Sequence, residues 1–220
     1  MIQMGFGLQQ FFDFISDFTE RVELLKDTLN DLDNRIGDGD HGTNMARGFK
    51  VANQQLLAQL PTDLGSACST VAMALLGNVG GASGPLYGTV FLKLGGVLKN
   101  FKTVEDEVLL EGLLSAKSGI MERGKAQLGD KTMLDVWEPA TVFLQTHPET
   151  GAFQQVVSIV REAALDTRDK VAKKGRAAYL GARSAGTCDP GSVSSGLFFE
   201  VLANVHEGGV EAVPWATLVL

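Results

Sequence analysis

An acidic, glycine-rich run at residues 33–44, D-N-R-I-G-D-G-D-H-G-T-N, has the composition of a metal-binding loop. Asp33, Asp38 and Asp40 supply three carboxylates, and the glycines among them allow φ > 0 and the close approach of a ligand. Carboxylates crowded on one loop repel one another unless a cation lies between them. Mg²⁺ prefers oxygen ligands and often shares them with substrate phosphates. The run therefore predicts a loop that holds Mg²⁺ and presents a phosphorylated ligand.

Three other structures could contain this run. Its glycines spell G-x-G-x-x-G, but a dinucleotide-binding turn needs a preceding strand, and the residues before this run have a helical period. A calcium loop that begins at Asp38 needs Gly at its sixth position and Glu at its twelfth, where Thr43 and Phe49 stand. A solvated turn that only caps the next helix remains open, although a cap needs one acid rather than three.

Residues 37–49, G-D-G-D-H-G-T-N-M-A-R-G-F, resemble the signature of the nucleotide-binding subunit of dihydroxyacetone kinases. Four later stretches resemble the same family in the same order: G-G-A-S-G-P-L-Y-G at 80–88, R-G-K-A-x-x-G-D-K-T-M-x-D-V-W at 123–137, K-G-R-A-x-Y-L-G-x-R at 174–183 and D-P-G at 189–191. Five spaced motifs make the resemblance specific, and they cover most of the chain after residue 33. Residues 1–30 and the tail after about residue 205 contain no motif.

The resemblance implies that Asp33, Asp38 and Asp40 bind two Mg²⁺ ions, which bridge the acids to the phosphates of ADP or ATP. Arg176 is the candidate for stabilising charge on the transferring phosphoryl group. The resemblance further implies nucleotide contacts for His41, Gly42, Thr43, Asn44, Ala82, Ser83, Gly124, Met133, Arg176, Asp189, Pro190 and Gly191.

Several of these residues have a plainer structural alternative. His41 could be a structural ring that hydrogen-bonds an aspartate, and residues 80–84 could be a simple helix connector. Met133 could belong to the core, Arg176 could be a surface residue, and D-P-G alone is only a turn signal. Lys125, Lys131, Lys173 and Lys174 are candidates for steering an acidic ligand, or for a solvated face.

Apolar residues recur at steps of three and four along most of the chain, which is typical of helices. Eight helices are predicted, with approximate bounds 8–32, 45–60, 63–76, 86–98, 103–121, 132–145, 149–172 and 192–205. Asp63 or Thr62, a Thr103–Asp106 capping box, and Ser192 are the expected N-terminal caps of three of them. Pro139 should kink the sixth helix, and no segment alternates like a strand.

In an up-and-down array of helices, every second loop lies at the same end. This arrangement gathers the glycine-bearing loops 33–44, 77–88, 122–131 and 174–191 at one end and leaves the plain links at the other. The family resemblance independently implies an all-α, eight-helix, antiparallel barrel. We therefore expect a single nucleotide-binding phosphotransferase domain over residues 1–220, with its site formed by loops at one end of the barrel.

The composition excludes several classes of protein. Lys and Arg number 19 and Asp and Glu 26, and the net charge of −7 argues against direct nucleic-acid binding. No run of about 18 apolar residues indicates a membrane span, and no secretion signal is visible. The two cysteines, Cys68 and Cys188, lack a pairing or metal-binding spacing, which suits a reducing cytoplasm.

These observations predict the ADP- or ATP-binding subunit of a dihydroxyacetone kinase. The resemblance implies a partner subunit that holds dihydroxyacetone; because no segment here resembles it, the chain is expected to be incomplete as a kinase. We expect the phosphoryl donor to be a phosphohistidine carrier of the phosphoenolpyruvate phosphotransferase system, which rephosphorylates resident ADP. The free-standing chain and the long 174–191 loop favour this mode. The alternatives are a subunit that exchanges ATP and ADP, or a nucleotide-loaded protein that docks on a transcription regulator.

Overall fold

Residues 5–209 and 214–219, which the computed structural model describes, are almost entirely helical. The α-helices are α1 (Leu8–Ile36), α2 (His41–Gln59), α3 (Leu64–Asn78), α4 (Ser83–Val97), α5 (Asp106–Gly124), α6 (Leu134–Thr146), α7 (Ala152–Asp166), α8 (Pro190–Glu207) and α9 (Trp215–Val219). A 3-10 segment, Arg176–Ser184, lies between α7 and α8. The single domain predicted for residues 1–220 includes positions 1–4, 210–213 and 220, which lie outside the described residues.

Helices α1 to α8 form a closed ring, because each packs against the next in the chain and α8 packs against α1. The predicted all-α antiparallel barrel is therefore confirmed. Its interior is filled by aromatic rings in edge-to-face contact: the Phe18 and Phe49 centroids lie 4.7 Å apart, and those of Phe14 and Phe198 lie 4.9 Å apart. A fully buried phenylalanine stabilises the fold by about 2 kcal/mol, so this cluster makes the barrel a rigid frame.

The first helix is longer than its predicted extent and takes in the first acid of the candidate site. Its apolar stripe continues from Leu32 to the buried Ile36, one turn further on, before Gly37 ends the helix. Asp33 therefore lies in the last turn of α1 rather than in a loop. The second helix starts at His41, with Asp40 at its N-cap position.

Two short strands were not expected from the sequence. β1 (Phe6–Gly7) pairs antiparallel with β2 (Thr103–Val104), which ties the start of the described chain to the link between α4 and α5. The Thr103–Asp106 capping box is accordingly wrong, because Thr103 lies in β2 and the cap position of α5 is Glu105, without a side-chain hydrogen bond.

Other helix ends also differ from their predicted positions. Asp63 does cap α3, since its Oδ1 accepts the Ser66 N–H at 2.9 Å. Ser192 does not cap α8; Asp189 does, with its Oδ2 2.7 Å from the Ser192 nitrogen. The seventh helix ends at Asp166 rather than near residue 172, because the polar groups after it bond elsewhere: the carbonyls of Arg168 and Lys170 accept from the Lys131 ammonium, and the Ala172 N–H donates to the Ser184 Oγ.

The fourth helix begins at Ser83, three residues earlier than predicted, and α6 continues through Pro139. Among the described residues, no helix combines the length and the apolar character that a membrane crossing needs.

Candidate functional site

A cavity of about 180 Å³ opens at one end of the barrel, where the loops after α1, α3, α5 and α7 meet. The predicted meeting of these four loops is confirmed. The cavity is lined by Asp33, Ile36, Gly37, Asp38, Asp40, His41, Gly81, Ala82, Ser83, Leu86, Tyr87, Thr132, Met133, Lys174, Gly175, Arg176, Ala177, Asp189, Pro190 and Gly191.

Three carboxylates lie at this cavity, and each offers one oxygen atom within 4.8 Å of the others. Asp33 and Asp40 are half-buried, and Asp38 is exposed. The Asp33 Oδ2 accepts the backbone N–H groups of Asp40 at 2.9 Å and His41 at 3.2 Å, which folds the loop back onto α1. Burial raises the pKa of Asp33, and the charges of Asp38 and Asp40 raise it further. A divalent cation among the three acids would relieve this repulsion, so the residues fit Mg²⁺.

Arg176 approaches the same acids from the other side of the cavity. It begins the 3-10 segment directly after Gly175, whose φ of 64° lies in the left-handed region that glycine tolerates. The Arg176 Nη2 lies 3.1 Å from the Asp38 Oδ2. A guanidinium in this position can reach both the acids and an anionic ligand in the cavity.

His41 is buried and hydrogen-bonded at both ring nitrogens. Its Nδ1 lies 2.9 Å from the Ser83 hydroxyl, and its Nε2 lies 3.0 Å from the Ser194 hydroxyl. Burial lowers its pKa to about 4, so the ring is neutral at pH 7. The ring therefore bonds hydroxyl groups rather than an aspartate, and it fixes Ser83, at the start of α4, against α2.

The hydrogen bonds of His41 continue across the floor of the cavity. Tyr87 donates its hydroxyl to the Ser194 Oγ at 2.9 Å, and the Trp137 Nε1 donates to the Ser195 Oγ at 3.2 Å. Burial raises the pKa of Tyr87 to about 12, so it remains a donor. This network links α2, α4, α6 and α8 below the cavity. Tyr87 belongs to the 80–88 motif but had no predicted role, and Ser194 lies in none of the motifs, although hydroxyls inside the otherwise apolar α8 were a signal.

Four of the predicted contact residues are not among those that line the cavity. Gly42 lets α2 lie against α1, because a Cβ there would collide with the Lys26 carbonyl oxygen. Thr43 donates its N–H to the Asn30 Oδ1 at 3.0 Å, and the Asn44 Oδ1 accepts from Arg47 at 2.6 Å. Gly124 ends α5. The nucleotide contacts of these four residues stay predictions.

The loops after α5 and α7 meet through residues that do line the cavity. Met133 is buried, and a Cβ added at Gly191 would lie 3.6 Å from the Met133 Cβ. Asp189 precedes Pro190 and caps α8; burial, together with the nearby charge of Asp135, raises its pKa to about 7.

Asp135 orders the loop after α5 and was not predicted to do so. Its carboxylate accepts the N–H groups of Gly129 at 2.9 Å and Thr132 at 2.8 Å, and it pairs with Lys170 at 2.8 Å. These bonds hold Thr132 and Met133 at the cavity.

The four lysines predicted to steer a ligand have different surroundings. Lys174 lines the cavity, Lys125 is exposed, and the Lys173 ammonium lies 3.8 Å from Asp130. Lys131 cannot steer a ligand, because its side chain is buried and its ammonium is hydrogen-bonded inside the protein.

Comparison with known proteins identifies similar chains over most of this length. Residues 35–204 match the family model described as the DAK2 domain. The chain is 43% identical over 189 residues to "PEP-dependent dihydroxyacetone kinase 1, ADP-binding subunit DhaL" of Listeria innocua, covering 86% of this chain and 92% of that protein. It is 41% identical over 180 residues to the PEP-dependent ADP-binding subunit DhaL of Escherichia coli, covering 80% and 86%.

A solved structure has the same fold. The dihydroxyacetone kinase of C. freundii in complex with AMP-PNP and Mg²⁺ superimposes with a TM-score of 0.69 at 25% identity. The alignment covers 93% of this chain and 36% of that one.

Proposed function

This chain belongs to the DAK2 domain family, and we propose that it is the nucleotide-binding phosphotransferase subunit of a dihydroxyacetone kinase. The observation that carries the proposal is the cluster of Asp33, Asp38 and Asp40 at a cavity formed by four loops. The relatives that match over most of their own length are named ADP-binding subunits, which supports the same ligand here.

We propose that Asp33, Asp38 and Asp40 hold Mg²⁺, two ions in number, together with ADP or ATP. When bound, Mg²⁺ neutralises phosphate charge during phosphoryl transfer. Asp33 is positioned for this role by the backbone N–H groups of Asp40 and His41, which fix its carboxylate at the end of α1.

Four helix N-termini supply further positive potential to the cavity. Helices α2, α4, α6 and α8 all begin at this end, and residues at or next to their first turns line the cavity: His41, Ser83, Met133 and Pro190. Unpaired N–H groups and the helix dipole make such N-termini favourable to phosphate. This convergence suits a polyphosphate, and it follows from the alternating direction of the helices.

The residues of this chain then act by position and charge, because phosphoryl transfer needs little covalent help from protein. Arg176 stabilises negative charge on the transferring group. Met133, Leu86 and Ile36 supply an apolar wall for the base. His41, held between two serine hydroxyls, keeps the loop before α4 in place.

The remaining parts of the proposal concern partners and location. A separate subunit holds dihydroxyacetone, and a phosphohistidine carrier of the phosphoenolpyruvate phosphotransferase system converts resident ADP to ATP in place. The protein acts in the cytoplasm, which suits its two buried free cysteines, Cys68 and Cys188.

The experiment loads the purified protein with radiolabelled ADP and Mg²⁺, chases with unlabelled nucleotide, and then adds the phosphorylated carrier and the substrate subunit. We expect the label to stay bound through many turnovers and to cycle between ADP and ATP. Loss of label within one turnover, with ATP sustaining product formation, would show that the protein exchanges ATP and ADP and does not keep ADP as a resident cofactor. Failure to retain or bind any adenine nucleotide would contradict the proposed function itself.

A further inference from the structure

Lys131 carries a buried ammonium group in the loop before α6. The side chain is 1% exposed, and its residue has a left-handed backbone with φ of 61°. The Nζ lies 2.5 Å from the carbonyl oxygen of Ser184, 2.7 Å from that of Thr187, 3.1 Å from that of Lys170 and 3.4 Å from that of Arg168, so its three N–H donors are shared among these acceptors. These acceptors are uncharged backbone carbonyls, so the charge is balanced by dipoles rather than by a carboxylate at hydrogen-bond distance.

The four carbonyls belong to the two ends of one segment, residues 168–187, which we call the wall segment. Arg168 and Lys170 lie just after α7, Ser184 is the last residue of the 3-10 segment, and Thr187 follows it. Between these ends, the wall segment supplies Lys174, Arg176 and neighbouring residues to the cavity. The ammonium of Lys131 thus connects the loop before α6 to both ends of the segment that carries Arg176.

The wall segment contributes little to the apolar core, since Ala172 is its buried apolar residue and lies outside the core cluster. Within the 3-10 segment, the buried residue is the polar Ser184. Other hydrogen bonds support its ends, including Gly186 N–H to the Arg168 carbonyl at 2.7 Å and Ala172 N–H to the Ser184 Oγ at 2.8 Å. A segment held mostly by polar contacts opens more easily than the core, so the loss of one such contact should have a local effect.

We propose that Lys131 is a positioning residue, whose ammonium holds the wall segment closed against the cavity and thereby keeps Arg176 in place and slows nucleotide release. Without the ammonium, the carbonyl oxygens of Ser184, Thr187 and Lys170 would lose this donor, whereas that of Arg168 keeps the Gly186 N–H, and each unpaired buried group is costly. Rings of backbone carbonyls can replace the hydration shell of a monovalent cation. The vacated ring is therefore a site for an added alkylammonium ion. The effect on nucleotide release rests on the proposed function; the effect on the wall segment does not.

The test uses Lys131→Ala in the full chain, with propylammonium, which corresponds to the deleted atoms. Hydrogen exchange of residues 168–187 should accelerate about tenfold or more in this variant, while exchange in α1 stays unchanged. Release of a fluorescent methylanthraniloyl-ADP with Mg²⁺ should accelerate by a similar factor. Propylammonium should restore both rates in part, and tetramethylammonium, which has the same charge but no N–H, should restore neither.

Lys131→Met is the matched control, because it keeps the apolar stem and leaves no space for the amine. Hydrogen exchange of the wall segment should accelerate as much in Lys131→Met, and propylammonium should not reverse it. If Lys131→Ala cannot be purified, Lys131→Met takes its place in the hydrogen-exchange experiment. Unchanged exchange in the wall segment, equal acceleration throughout the protein, or equal rescue by both amines would overturn the proposal. If the wild-type protein binds no ADP, the proposed function fails, and the exchange measurements still decide the role of Lys131.

Discussion

Arg176 and Asp38 form an ion pair at the cavity, with 3.1 Å between Nη2 and Oδ2. The two side chains are 67% and 36% exposed, so the pair stabilises the fold by no more than about 1 kcal/mol. A contact this weak is readily exchanged. A cation at Asp38 would compete with the guanidinium, and Arg176 would then be available to a phosphate group. In the proposed function, the acid and the arginine therefore act on the same ligand from opposite sides.

The first prediction concerns the acidic cluster. Asp40→Asn should weaken Mg²⁺-dependent ADP binding strongly and reduce phosphoryl transfer by about a hundredfold or more, because one charged oxygen ligand is lost. Titration calorimetry with ADP and Mg²⁺ measures the affinity. Asp31→Asn, at an exposed position near the end of α1, is the control and should bind as the wild type does. Normal affinity and turnover in Asp40→Asn would rule out the metal assignment.

The second prediction concerns stabilisation by ligand. A nucleotide–metal unit that contacts four loops binds only the folded chain, and at 100 times its dissociation constant it adds roughly 2.7 kcal/mol. For a domain of this size, EDTA followed by gel filtration should lower the melting temperature by roughly 5 to 10 °C. Restoring Mg²⁺ and ADP should reverse the change in the wild type but not in Asp40→Asn. A melting temperature indifferent to chelation would contradict this prediction.

The third prediction concerns pH. The pKa of His41 falls from 6.5 to about 4 on folding, so between these values the unfolded chain binds a proton that the folded chain does not. The contribution of this ring to the free energy of unfolding is fully present above pH 6.5. It decreases by about 3 kcal/mol as the pH falls to 4.

The measurement for His41 compares wild type with His41→Gln by denaturant unfolding from pH 7 to pH 4. Asp189 has the opposite slope over an overlapping range, because its raised pKa favours the folded state at low pH; this slope is present in both proteins. The difference between wild type and variant should therefore shrink on acidification. A constant difference would show that His41 is not held neutral by burial.

The fourth prediction concerns two helical glycines in different surroundings. Gly42→Ala should destabilise the protein by about 2 kcal/mol, because the new Cβ would collide with the Lys26 carbonyl and push α2 away from α1. Gly77→Ala meets no atom within 4 Å and should stabilise by up to about 1 kcal/mol through helix propensity. Denaturant unfolding of both variants gives the comparison, and equal effects would contradict the packing argument.

The barrel could be predicted well from the sequence because long helices have an apolar period of three to four residues, which is easily detected. It predicted the short elements poorly, since a strand of two residues such as β1 has no alternation to detect. The end of α7 was misplaced because Val171 and Ala172 continue the apolar spacing, whereas the bonds of the Arg168 and Lys170 carbonyls to the Lys131 ammonium have no such pattern.

In the candidate site, too, features set by neighbouring residues were predicted and features set by distant residues were not. The cluster of Asp33, Asp38 and Asp40 followed from local spacing and repulsion, and the acids do lie together. The hydrogen-bond partners of His41 could not be predicted from the sequence, because Ser194 lies 153 residues away and is brought near only by closure of the barrel. The carbonyl ring around Lys131 depends likewise on backbone positions that side-chain types do not encode.

The most direct test of the central claim is a single-turnover transfer experiment. The protein is loaded with Mg²⁺ and ATP labelled at the γ-phosphate, freed of unbound nucleotide, and mixed with a substrate subunit that carries dihydroxyacetone. We predict that the label moves to dihydroxyacetone phosphate within one turnover, that free dihydroxyacetone without the substrate subunit receives none, and that Asp40→Asn transfers at least about a hundredfold more slowly. Label that stays on the nucleotide, or that reaches free dihydroxyacetone through this chain alone, would contradict it.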